Sequence, residues 1–217
     1  MLYYRAETDN MNKFQITLIS LVFSLSFMNS CKNEAQITNN LPDTTITENE
    51  IHIVIEIPAG TSKKIEVNKS TGRFEVDQEN GADRVIDFLP YPGNYGYIHN
   101  TLMDKSKGGD GDALDVLVIA ENLETGTHLE VIPIAALLLK DDGEVDTKII
   151  AVPSDRDLQI IDAEDFSTFF MKYNGAFQII EKWFLNYKGV GQMELINWED
   201  EKKAMAEIIR WQVEKEK

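Results

Sequence analysis

The chain has 217 residues, of which 43% are hydrophobic and 27% charged, a composition typical of one globular domain with or without a tail. Its formal net charge of -16 disfavours binding to nucleic acid or to an anionic membrane surface, and its many carboxylates suit hard cations that take oxygen ligands. The single cysteine, Cys31, excludes a disulfide within the chain and a cysteine-based zinc site.

The N-terminal residues 1–30 are predicted to be a signal peptide, whose true start could be Met11. Lys13 provides the positive charge, and the uncharged apolar stretch Ile16–Met28 is short for a transmembrane helix. The pattern resembles a bacterial lipoprotein signal in which Cys31 carries the lipid; the alternative is a plain signal peptide or anchor with an incidental cysteine. This predicts a cell-envelope protein, on the periplasmic side or as an outer-membrane lipoprotein, and a secreted or cytoplasmic one if the signal is not used.

Residues 31–50 are polar and are predicted to be a lipid-anchored flexible tether, followed by the folded domain over 51–217. Apolar residues alternate over Ile51–Ile57, which predicts a strand with one buried face. Short strands separated by turn residues predict a small closed, or nearly closed, antiparallel β-barrel. The further predicted strands are Lys64–Val67, Arg73–Val76, Arg84–Phe88, Val116–Ala120, Leu129–Leu139 and Thr147–Val152.

The C-terminal part has helical periodicity. Apolar residues recur at helical spacing over Phe177–Tyr187, and Gly189 follows as a stop signal. A second helix is predicted to begin near Trp198, with Asn197 as its N-cap. Strands followed by helices predict an α+β domain whose C-terminal helices pack against the barrel.

The strongest chemical signal is the segment DGDALD, which places Asp110, Asp112 and Asp115 directly before the apolar strand VLVIA. Carboxylates crowded at a strand end are costly unless cations neutralise them. An EF-hand calcium loop is a poor alternative, although Asp110, Asp112 and Glu121 match its first, third and twelfth positions. It would need an oxygen ligand at Leu114 and glycine at Asp115.

Weaker motifs flank this segment. The acidic run Lys140–Lys148 would, alone, be interpreted as a charged hairpin turn. Lys64 and Glu66 share one face of a strand because side chains alternate. Tyr91–Gly96 is predicted to be a tight aromatic turn, and Tyr187 with Lys188 ends a helix.

Taken in order from about Ile51 to Lys188, these motifs resemble the soluble family I inorganic pyrophosphatases. The segments are IEIPAG, KIE, DFLPYPGNYGYI, DGDALD, DDGEVDTKIIAVP and NYK. The resemblance implies an OB-like barrel with a five-stranded core, and hydrolysis of pyrophosphate to two phosphates with several Mg²⁺ ions. It also implies homo-oligomers, which a lipid tether could limit. Ala113 stands where the family often has proline, which removes rigidity but no ligand.

The resemblance also implies roles for individual residues. Asp110, Asp115 and Asp146 would bind the tighter Mg²⁺ ions, with Asp141 and Glu56 adding further metal sites. Asp112 would lie beside the attacking water as the catalytic base. Lys64, Arg84, Tyr95, Lys148, Tyr187 and Lys188 would bind the phosphates, with Glu66 and Tyr91 in support. Some family members have arginine at the position of Gln78; here Arg84, after the insertion Glu79–Asp83, is interpreted as its replacement.

Two other functions fit less well. A non-catalytic cation- or phosphate-binding lipoprotein on the same fold would be favoured by loss of the base or of a phosphate-binding cation, yet both kinds of residue are present. A barrel that binds oligosaccharides or oligonucleotides would interleave exposed aromatic and basic residues, whereas the aromatic turns here lie among acids. His52, His99 and His128 are scattered and are interpreted as structural or surface residues.

Overall fold

The structure is a computed structural model that describes residues 46–47 and 50–213. The predicted signal peptide, and with it Cys31 and most of the predicted tether, lies outside the described residues. The end of the predicted tether differs from prediction, because Ile46–Thr47 is extended and pairs with Glu50 and Ile51 of the first ring strand. The described strands are β1 (Ile46–Thr47), β2 (Glu50–Ile57), β3 (Ile65–Asn68), β4 (Arg73–Val76), β5 (Gln78–Glu79), β6 (Ala82–Asp83), β7 (Asn94–Ile98), β8 (Asp115–Val118), β9 (His128–Asp141), β10 (Glu144–Pro153) and β11 (Met193–Asp200). The described α-helices are α1 (Phe166–Lys172), α2 (Asn174–Asn186) and α3 (Glu201–Trp211), and none of them has the length and apolar character to cross a membrane.

Five strands form a closed ring. They pair in the order β2, β7, β8, β10 and β9, and a further pairing between β9 and β2 closes the ring. This confirms the predicted five-stranded core, but the sheet is mixed, because β8 and β10 run parallel. Strand direction cannot alternate throughout a ring with an odd number of members, so at least one neighbouring pair must be parallel.

The ring strands are buried on both faces. On β8, Val116 packs in a cluster with Ile208 of α3, and the next residue, Leu117, packs in a second cluster with Phe184 of α2. Since successive side chains of a strand point to opposite faces, both faces of β8 are covered, which explains the unbroken apolar sequence that follows Asp115. The predicted packing of helices against the strands is thus present on both faces.

The aromatic segment predicted to be a turn is in part a ring strand. Asn94–Ile98 forms β7 and pairs with β2, with Gly96 opposite Ile55. A Cβ atom at Gly96 would overlap the main-chain carbonyl oxygen of Val54, so only glycine allows this close approach. The prediction missed the strand because its glycine was interpreted as a turn signal.

Two other elements differ from prediction. Arg84–Phe88 is not a strand; within it, Val85 makes only an isolated bridge to Lys63. The last helix begins at Glu201, not near Trp198, because β11 pairs with β9 as far as Asp200, whose side chain then caps the helix. An edge strand half exposed to water has no clear apolar alternation, which hid β11 among polar residues.

Candidate active site

One cavity of about 530 Å³ gathers every predicted site residue that lies within the described part of the chain. Its wall includes Glu56, Lys64, Glu66, Arg84, Tyr91, Tyr95, Asp110, Asp112, Asp115, Asp141, Asp146, Lys148, Tyr187 and Lys188. Gln78 does not line it, and the predicted lipidation site Cys31 lies outside the described residues.

The register of two ring strands builds the centre of the cavity. Asp115 is the first residue of β8 and lies opposite Lys148 on the parallel strand β10. Asp146 precedes Lys148 by two residues and so shares its face of β10. The buried ammonium group of Lys148 contacts Asp115 and lies 2.6 Å from Asp146 Oδ1. Burial opposes its charge, but Asp115 leads the groups that hold the pKa of Lys148 well above its ordinary value.

The loop before β8 presents two further carboxylates. The fully buried Leu114 anchors the loop, and its N–H donates to Thr101 Oγ1 at 2.9 Å. The N–H of Asp112 donates to Asp110 Oδ1 at 2.8 Å, while the Asp112 side chain is 64% exposed. Asp115 begins a strand, which agrees with the rejection of an EF-hand loop.

A hairpin of β3 and β4 forms a second wall. Lys64 and Glu66 form an ion pair, and Glu56 Oε1 of the ring accepts a hydrogen bond of 3.0 Å from the N–H of Val67. Burial raises the pKa of Glu56 to about 8, so its carboxyl group favours the neutral form at pH 7 when no cation is nearby. Lys69, on the turn of this hairpin, lies 2.5 Å from Asp112 Oδ1.

The C-terminal end of α2 forms a third wall. The ring of Tyr187 stacks on Trp183, with centroids 4.7 Å apart and planes at 5°. Trp183 also packs against Tyr91 at 4.5 Å and donates a hydrogen bond from Nε1 to the carbonyl oxygen of Leu89. Burial raises the pKa of Tyr187 to about 12, which keeps its hydroxyl group protonated as a hydrogen-bond donor. Lys188 forms an ion pair with Asp141.

Sequence reasoning missed six polar or aromatic residues of the wall: Lys69, Tyr97, Asp142, Glu144, Trp183 and Phe184. Asp142 and Glu144 lie in the acidic run Lys140–Lys148, where only two acids were singled out. Trp183 could have been found from its spacing, because it precedes Tyr187 by four residues on one helix. Lys69 gave no signal, since only the turn of the hairpin brings it near Asp112.

The donor set fits a hard divalent cation. Among the described residues, no three His, Cys, Asp or Glu side chains are already grouped to hold a metal ion. The carboxylates are instead paired with ammonium groups: Asp115 and Asp146 with Lys148, and Asp141 with Lys188. Carboxylate oxygens are the ligands that Mg²⁺ prefers, so bound cations could take over the neutralisation that these lysines provide.

A ring of five strands with acids, lysines and tyrosines around one open cavity defines a protein suited to binding a phosphorylated ligand together with cations. The family model for inorganic pyrophosphatase matches residues 53–216. The inorganic pyrophosphatase of Haemophilus influenzae is 36% identical over 165 residues, which are 74% of this chain and 85% of that protein. The solved inorganic pyrophosphatase of Thermus thermophilus is 30% identical, covers 78% of this chain and 95% of its own, and has a TM-score of 0.65. The inorganic pyrophosphatase of Neisseria meningitidis serogroup A is 43% identical over 106 residues, about half (54%) of its length. The chain belongs to the inorganic pyrophosphatase family.

Proposed function

We propose that this protein hydrolyses inorganic pyrophosphate to two phosphates with a water molecule activated by divalent cations, of which Mg²⁺ is the natural choice. The observation that carries the proposal is the convergence of carboxylates, cationic side chains and tyrosines on one cavity. Carboxylates alone would repel pyrophosphate, and lysines alone would not activate water. Their combination suits a metal-assisted displacement at phosphorus.

The carboxylates are the proposed metal ligands: Asp110, Asp115 and Asp146 for the tighter ions, and Asp141 and Glu56 for further ones. When bound, Mg²⁺ would lower the pKa of water and stabilise negative charge on the phosphates. The neutral carboxyl group of Glu56 would lose its proton as a cation approaches, because a nearby positive charge favours its ionised form.

The cationic and tyrosine side chains would bind the substrate. Arg84 offers a planar fork of N–H donors, which matches two phosphate oxygens. The hydroxyl groups of Tyr95 and Tyr187 stay protonated, because burial raises both pKa values, and can donate to phosphate. Lys64, Lys148 and Lys188 complete the proposed phosphate-binding set, and Glu66 and Tyr91 support it through contacts with Lys64 and Tyr95.

Asp112 is the proposed catalytic base. It lies between the proposed ligands Asp110 and Asp115, and its exposed carboxylate can accept a proton from the attacking water. Its contact in this structure is with an exposed lysine, Lys69, which can move away at little cost.

We also propose that the ring of five strands is a small OB-like barrel. Its support is the closing pairing of β2 with β9. A homo-oligomer of this barrel remains a prediction from the family.

Phosphate release from pyrophosphate, measured with the purified protein, tests the proposal. We expect rapid release with Mg²⁺, loss of activity in excess chelator, and recovery when Mg²⁺ is restored. Activity that persists in excess chelator would contradict the metal mechanism. Binding of pyrophosphate without any hydrolysis would favour a non-catalytic phosphate-binding protein.

We also propose that residues 1–30 are a lipoprotein signal, that Cys31 carries lipid, and that residues 31–50 tether the domain 51–217 to the cell envelope. The support is the charged start, the apolar stretch and the single cysteine. Two or more acyl chains would give stable anchoring. We expect the parent protein to incorporate labelled fatty acid and to appear in the membrane fraction. The variant Cys31→Ser should incorporate none and appear in the soluble fraction. The anchor would be refuted if the parent incorporated no labelled fatty acid and the variant stayed in the membrane fraction as firmly as the parent.

A further inference from the structure

Arg84 needs an explanation for its position. It follows the insertion Glu79–Asp83, which could have carried it away from the cavity, yet its side chain forms part of the cavity wall. The insertion is folded outward as the small hairpin of β5 and β6. The residue before this hairpin is Asp77, whose Oδ2 lies 3.1 Å from Arg84 Nη1.

Main-chain hydrogen bonds also connect the segments around this ion pair. The N–H of Arg84 donates to the carbonyl oxygen of Asp77 at 2.7 Å. The N–H of Asp77 donates to the carbonyl oxygen of Lys64 at 2.8 Å. The N–H of Lys64 donates to the carbonyl oxygen of Arg84 at 3.0 Å. Asp77 therefore connects two residues of the proposed phosphate-binding set.

Asp77 acts from behind the cavity wall. It is absent from the residues that line the cavity, whereas Arg84 is present. Both side chains are partly shielded from water, with 28% of Arg84 and 30% of Asp77 exposed. An ion pair with restricted solvent access fixes side-chain orientation better than a fully exposed one. Because the carboxylate engages one edge of the guanidinium group, other N–H donors remain for a ligand.

We propose that Asp77 is a positioning residue that holds the guanidinium group of Arg84 toward the phosphate of the substrate. The proposal rests on the proposed function, because it assigns Arg84 to phosphate binding. The alternative is that Asp77 only closes the β5–β6 hairpin. Its main-chain hydrogen bond with Arg84 would be sufficient for that role, and the carboxylate would not be needed.

The variant Asp77→Asn separates these roles, because it keeps the shape and the main-chain bonds but removes the charge. We expect KM for pyrophosphate to rise about three- to tenfold with kcat changed less than about twofold. Inhibition by methylenediphosphonate, whose P–C–P bridge resists hydrolysis, should weaken by the same factor. The matched control is Asp83→Asn, on the same hairpin, whose exposed carboxylate contacts Gln78 and Lys63; we expect no change there.

A double-mutant cycle with Arg84→Met gives the decisive result. If Asp77 acts through Arg84, Asp77→Asn adds no further loss of methylenediphosphonate binding once Arg84 is removed. An equal loss in both backgrounds, or an unchanged KM in the single variant, would overturn the proposal. If Asp77→Asn strongly lowers the melting temperature, the variant Asp77→Glu provides a second test, because it retains the charge. Asp77→Glu should recover both the stability and the KM of the parent protein. If neither variant folds, Asp77 has a structural role and the proposal is overturned.

The outcome can be separated from that of the proposed function. A parent protein that binds methylenediphosphonate but does not release phosphate would refute pyrophosphate hydrolysis, while calorimetric binding to the variants would still test Asp77.

Discussion

The two sides of the cavity are built by different means. Asp115, Asp146 and Lys148 lie on adjacent ring strands, and strand pairing sets their positions. Lys64 and Arg84 lie outside the ring, on segments held by side-chain and main-chain contacts. Strand register therefore sets the positions of the carboxylates Asp115 and Asp146 on the proposed metal side, whereas contacts between distant segments set most positions on the phosphate side. We expect larger effects from substitutions on the metal side, which includes Asp112 in the loop directly before β8, because that side would activate the attacking water.

The largest effect is expected at Asp112. Asp112→Asn keeps the shape of the side chain and removes the base, so kcat should fall by about 10²–10⁴-fold in phosphate-release assays. Its metal affinity, measured by Mg²⁺ titration, should change less than in Asp115→Asn, which removes a proposed ligand. A near-normal rate would refute the role, and equal loss of metal binding in both variants would make Asp112 an ordinary ligand.

Lys148 tests the register side through stability. In Lys148→Met, the carboxylates of Asp115 and Asp146 lose their shared buried counter-ion, so the free energy of unfolding in chelator should fall by about 3 kcal/mol. Saturating Mg²⁺ should restore most of this loss, because bound cations would neutralise the same carboxylates. Chemical denaturation with and without Mg²⁺ measures both values. The exposed Lys140 provides the control, and Lys140→Met should change stability by less than about 0.5 kcal/mol; equal changes at both lysines would contradict the account.

Arg84 tests the other side. In Arg84→Lys, one charge remains but the planar fork is lost, so kcat/KM should fall about tenfold while thermal stability stays close to that of the parent. Gln78→Ala, a change outside the cavity, should leave the kinetics unaltered. If Gln78→Ala proved the more harmful of the two, Gln78 rather than Arg84 would bind the substrate.

The smallest effect is expected at Lys69. Its side chain is 80% exposed, and an exposed ion pair contributes at most about 1 kcal/mol, so Lys69→Gln should change kcat by less than about fivefold. A loss of kcat as large as that expected for Asp112→Asn would show that Lys69 takes part in the chemistry. The proposed division of the cavity into a metal side and a phosphate side would then be wrong.

Motif order predicted much of the site because its chemistry is local in the chain. The segment DGDALD carries three carboxylates directly before a buried strand, so their common location follows from one turn and one strand end. The contact of Lys69 with Asp112 joins residues 43 positions apart, and no local pattern contains it. The missed strand β11 is a similar case, because it is held extended mainly by its pairing with β9, which is distant in the sequence.

The amino-acid sequence was enough to predict the family and most acids and cations of the candidate site, because these residues lie in local motifs. The five-stranded core followed from the resemblance to the family, since apolar alternation alone predicted more strands than the ring contains. The parallel direction of β8 and β10, which places Lys148 between Asp115 and Asp146, became visible only in the folded ring. The folded structure also shows that Arg84 returns to the cavity after its insertion and forms an ion pair with Asp77. The physical reason is that strand direction in a closed ring and contacts between distant segments depend on the whole set of pairings, which no single segment contains.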